Sequence, residues 1–134
     1  MNSINDSYDC RASHGHLPMP RFLAVYSMKP DNVVRFRALP KAEQDAVDAA
    51  GVPQWMDWEK ANAASFADRG GMVGKTKRVT KDGVADAQND ICGYVVVEAD
   101  SIEAAVRLFD NHPHFSIFPG DGVDIMPFVT GPED

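Results

Sequence analysis

The chain has 134 residues, 44% of them hydrophobic and 25% charged, with a formal net charge of −7. That length supports one domain with a real core, and the acidic balance argues against a nucleic-acid partner, which needs a positive face. No run approaches the roughly 18 apolar residues of a membrane span, and the polar N-terminus has no apolar signal region, so a cytoplasmic protein with no membrane contact is expected.

Residues 1–20 are rich in Ser, Asn, Asp, His and Pro without apolar periodicity, which predicts a flexible N-terminal arm ahead of one domain over residues 21–130. His14-Gly15-His16, in that arm, reads as adventitious metal binding at most. The first strand is predicted at Arg21 to Met28, with Lys29-Pro30-Asp31 as a turn. Residues Asn32 to Leu39 read ambiguously. An extra short helix follows from Lys41 to Ala50, bracketed by Pro40 and Gly51. The next helix is predicted from Gln54 to Arg69, opened by Pro53 and stopped by Gly70-Gly71, with Trp55, Trp58, Ala63 and Phe66 on one arc at a repeat of about 3.6.

Strand two is expected at Met72 to Thr80, and Asp82-Gly83 begins a polar loop to Asp90. Lys75, Lys77, Arg78 and Lys81 alternate along this stretch, which reads as a solvated or edge-protecting face. Strand three is Ile91 to Ala99. Asp100 suits an N-cap, with Glu103 completing a capping box. Ile102, Ala105, Val106 and Phe109 then keep helical spacing until Pro113 ends the helix, and the last strand is Val123 to Phe128.

The resulting order, β-α-β-β-α-β, predicts an α+β fold of ferredoxin-like type. Phe22-Leu23-Ala24-Val25-Tyr26 and Tyr94-Val95-Val96-Val97 are apolar on successive residues, so both sheet faces are expected to be buried. Two helices cover one face, and a second copy of the chain is the simplest cover for the other. A homodimer is the expected partner state.

Gly93 to Ser101, Ala104-Ala105, His112-Pro113-His114 and Val123 to Phe128 together resemble the YCII-related family, including its DGPF-type relatives. Trp58 and Gly70-Gly71-Met72-Val73 extend the resemblance, which covers about Arg21 to Phe128. It implies a dimeric α+β barrel. The chain departs from the family in having Asp82 to Ala87 in place of a Gly-Pro-aromatic-x-Glu loop, and in residues 32–52, which read as an insertion. Some members are proposed to use a His-Asp pair, and the matching positions here hold Glu59 and His112, with the two residue types reversed.

Glu59 falls inside the apolar arc of its helix, where a carboxylate must be paired, neutralised or facing a cavity. Either it bends to the rim or pairs with a neighbouring Arg, or it orients His112 across a pocket between helix and sheet and raises its pKa for acid/base work. With His114 the two would form a two-His, one-carboxylate metal site, a weaker alternative; no metal and no cofactor is expected. The bland reading of both histidines is interaction with a helix C-terminus. Tyr26, Tyr94, Trp55 and Trp58 line a pocket in one reading and fill the core in the other. Gly70 to Thr76 is not a phosphate loop, because it follows a helix and opens a strand.

Two cysteines are too few for a disulfide framework. Cys10 lies in the arm, and Cys92 reads as a small core residue rather than a nucleophile.

Two functions follow. The first is a small-molecule lyase, isomerase or hydrolase with catalytic His112 and Glu59 and with Trp58, Tyr26, Tyr94 and His114 binding substrate, by analogy with related members acting on lactone-like ring products. The second is a non-catalytic dimer that binds a small ligand or another protein.

Overall fold

The structure, a computed structural model, describes residues 19–129. The expected arm, with Cys10, His14 and His16, lies outside the described residues apart from its last two positions. The chain is α+β, with several helices and an antiparallel four-stranded sheet in the order β2-β5-β1-β6. These strands are β1 (Arg21–Ser27), β2 (Phe66–Met72), β5 (Ile91–Glu98) and β6 (Gly122–Pro127). The remaining two strands, β3 (Thr76–Thr80) and β4 (Gly83–Ala87), form a separate hairpin.

Side chains alternate across the central strands. Phe22, Ala24 and Tyr26 of β1 and Val95 and Val97 of β5 are buried on one face, together with Ala105 and Phe109. Trp55 and Trp58 pack on the same core from the long helix. On the other face Leu23 pairs with Val96 and Met126, and Val25 with Tyr94 and Asp124. Leu23, Val25 and Val96 are only half-buried, while Tyr94 and Met126 are exposed. Within one subunit, therefore, the expected burial of both faces is met on one side alone.

Several element boundaries differ from expectation, each for a physical reason. Lys29-Pro30-Asp31 is not a free turn, because Pro30 takes the first position of helix α1 (Pro30–Ala38), where its missing N–H costs nothing. The two predicted helices after it are one, α2 (Lys41–Asn62), running through Gly51 and Pro53. Gly51 is the buried residue of α2, and the Phe118 ring occupies the place of its missing Cβ. Tertiary packing of the helix's apolar stripe outweighs the one backbone hydrogen bond that Pro53 forgoes.

The helix stops at Asn62, whose amide donates back to the Trp58 carbonyl at 2.9 Å. A 3-10 turn at Ala63–Ser65 follows, and Phe66 pairs with Val97 as the first residue of β2 instead of the last turn of a helix. The predicted second strand is thus split between β2 and β3. Lys81-Asp82 makes a two-residue turn, with Gly83 at φ 125°, so the polar loop is the returning strand of the hairpin.

Further on, Ser101, not Asp100, caps helix α3 (Ile102–Arg107): the Ala104 N–H donates to Ser101 Oγ at 3.1 Å. Pro113 does not end that helix either. It opens a short helix α4 (Pro113–Ser116), reached through Asn111 at φ 55°. Among the described residues, no helix is long and apolar enough to cross a membrane.

Candidate ligand pocket

A cavity of about 420 Å³ lies between α2 and the sheet. Its helical wall is Val52, Trp55, Met56 and Glu59, the i, i+3, i+4, i+7 stripe of one helix face. Opposite stand Tyr26 from β1, Cys92 and Val95 from β5, and Arg69, Gly71 and Met72 from β2. The lining is mostly apolar, with a few polar atoms converging on it, as ligand sites usually have. Trp58 also borders it and is fixed by its indole N–H, which donates to the Leu108 carbonyl at 2.7 Å.

β2 is irregular where it meets the cavity. Its register against β5 shifts on both sides of Asp68, and the Gly70 N–H donates to Asp68 Oδ1 at 2.8 Å. Bulges of this kind re-aim a side chain. Here the bulge carries Arg69 to the cavity, where its guanidinium is 4.0 Å from Glu59 Oε1 and 5.9 Å from the centre of the Phe66 ring. At 4.0 Å, with side-chain exposures of 66% and 36%, Arg69 and Glu59 form a loose pair with unused hydrogen-bonding capacity.

The histidines sit deeper. His112 is fully buried, and His114 is 2% exposed. His112 caps α4: its Nδ1 accepts the His114 backbone N–H at 2.9 Å, while its Nε2 lies 3.5 Å from the Tyr26 hydroxyl. The rings of Trp55, Trp58 and Tyr26 enclose it, with centroids 4.5, 4.5 and 5.2 Å away. His114 Nε2 donates to the Ser27 carbonyl at 2.7 Å, because a carbonyl can only accept.

Burial, with the neighbouring His114 as a lesser cause, lowers the His112 pKa to about 4. His114 is also lowered by burial, against the opposing pull of the Ser27 hydrogen bond and the Asp121 charge. Tyr26 is raised, first by burial and then by the negative charges of Glu59 and Cys92. Burial also raises the Cys92 thiol, whose Sγ donates to the Tyr26 carbonyl at 3.3 Å.

Of the residues singled out from the sequence, Glu59, Trp58, Tyr26, Tyr94 and His114 border one cavity, and His112 lies behind it. The expected Glu59–His112 pair is corrected: both ring nitrogens of His112 face other partners, and its pKa moves down instead of up. Apolar rings around the imidazole disfavour its charged form. Among the described residues, no three His, Cys, Asp or Glu side chains gather into a group that could hold a metal ion. Arg69 was not singled out from the sequence, because Gly70-Gly71 reads as a helix stop as readily as a strand bulge.

Fold and site together define an α+β protein with an apolar pocket between a long helix and an antiparallel sheet. No protein-family model matches the chain, and no curated protein matches it significantly.

Proposed function

We propose that the chain is a cytoplasmic small-ligand-binding protein, a homodimer of ferredoxin-like subunits of YCII-like type. The observation that carries the binding role is the 420 Å³ cavity itself, walled by Trp55, Trp58 and Met56 with the loose Glu59–Arg69 pair at its mouth. Binding is favoured over acid/base catalysis because the His-carboxylate pair that catalysis would use is not formed. A His112 that stays uncharged near neutral pH and stands behind the cavity wall is a structural support for the pocket.

Indane, a compact bicyclic hydrocarbon, is a suitable first probe. Isothermal titration calorimetry should show saturable binding at one site per chain, lost when Val52→Trp fills the cavity from its half-exposed rim. Absence of saturable binding, or equal binding by the filled variant, would overturn the assignment.

The dimer rests on the uncovered sheet face, where Leu23, Val25, Val96 and Met126 form a continuous apolar surface bordered by Asp124 and the Arg21–Glu98 ion pair. The strand order β2-β5-β1-β6, with the core packed on the opposite face, supports the ferredoxin-like reading, in which this face is left for a second copy. Light scattering at micromolar concentration should give twice the chain mass, and Leu23→Lys should halve it. A wild-type monomer under those conditions would rule the dimer out.

A further inference from the structure

The buried polar groups at the inner end of the cavity form a chain with a fixed direction. His112 Nδ1 accepts the His114 backbone N–H, so in the neutral ring the proton is on Nε2. That Nε2–H points to the Tyr26 oxygen, 3.5 Å away, and Tyr26 is the acceptor. The phenolic proton of Tyr26 must then be directed elsewhere. Among the described residues no protein acceptor receives it, although Tyr26 is only 3% exposed. Its other close neighbours are the Trp55, Phe109 and His114 rings, none of which accepts a hydrogen bond from it, and the remaining open direction is the cavity it lines. A buried donor without an acceptor is costly, and a ligand oxygen placed there relieves the cost.

From this chain of donors we infer that Tyr26 donates a hydrogen bond to a ligand carbonyl oxygen at the closed end of the cavity, and that the ligand class is a small, mainly apolar, neutral ketone or related carbonyl compound. The inference rests on the cavity being a ligand site. Neutrality follows from Glu59, whose negative charge acts on Tyr26 and repels an anion from the same place. The phenol also stays protonated across the working pH range, because burial and Glu59 both oppose its ionisation.

1-Indanone and indane differ at the carbonyl alone and test the idea by calorimetry on wild type and Tyr26→Phe. The ratio of the two affinities should favour 1-indanone about fivefold more in wild type than in the variant, the size of one net hydrogen bond. The infrared carbonyl band of bound 1-indanone should lie at lower frequency than in a hydrocarbon solvent, and this readout on wild type decides the matter if Tyr26→Phe does not fold. Failure of both probes to bind overturns the cavity as a ligand site and the inference with it. Binding of both with an unchanged ratio and an unshifted band overturns the role of Tyr26 and leaves the cavity standing.

Discussion

Conformational stability should fall by about 3 kcal/mol as pH drops from about 6.5 to about 4, through His112 alone. His112 is fully buried among Trp55, Trp58 and Tyr26, and its folded-state pKa lies below the unfolded value. The unfolded chain therefore binds a proton in this window that the native chain refuses, so stability is complete above the unfolded pKa and declines as pH falls toward the folded one. His114, lowered in the same direction, steepens the decline. Asp121 acts at lower pH: held below the usual carboxylate range chiefly by the Lys29 N–H at 2.6 Å, it loses its contribution as pH falls through that depressed value. Urea unfolding at pH 7, 6, 5 and 4 measures the slope. His112→Asn keeps a side-chain acceptor at the N-cap of α4 but has nothing to titrate, so its stability should vary much less with pH. Equal slopes for the two proteins would sink the argument.

Strands β1, β5 and β6 were legible because their signals are local. Phe22 to Tyr26 and Gly93 to Val97 carry enough β-branched and aromatic residues to fix β1 and β5, and Val123 to Phe128 fixes β6. The misread elements are those where a breaker was overruled by something distant in sequence. Gly51 and Pro53 look like a helix boundary until Phe118, far along the chain, is seen packed on Gly51. The cap of α3 is a different, local case: Asp100 and Ser101 are both suitable caps, and it is Ser101 that is bonded to the Ala104 N–H. In the site, the stripe of Val52, Trp55, Met56 and Glu59 was half visible, because the carboxylate stood out on an apolar arc. A neighbouring Arg was one expected partner, but which Arg was not visible. Pairing Glu59 with Arg69 requires knowing that Phe66 to Met72 is a bulged strand, and local spacing there fits a helix equally well.

That bulge makes Gly70 the most demanding backbone position near the site. Gly70→Ala should cost about 3 kcal/mol, combining about 1–2 kcal/mol for an L side chain in the left-handed region with the displacement of packed backbone. Its φ is 61°, and a Cβ there would run into the main-chain carbonyl oxygen of Tyr94. That oxygen belongs to β5, which is held on both sides by β1 and β2, so it cannot move aside as a flexible side chain would. The neighbouring glycine supplies the control. Gly71 borders the same cavity, yet a Cβ on it meets nothing within 4 Å and its φ is not positive, so Gly71→Ala should change stability by less than about 0.5 kcal/mol. Urea midpoints of the two variants decide the point, and equal effects would mean that the bulge is not rigid. The consequence reaches the site, because Arg69 stands at the mouth of the cavity only while the turn from Asp68 to Gly71 keeps its shape. A relaxed turn would swing the guanidinium away from Glu59 and reshape the cavity mouth, so Gly70→Ala should also weaken indane binding by calorimetry while Gly71→Ala leaves it nearly unchanged.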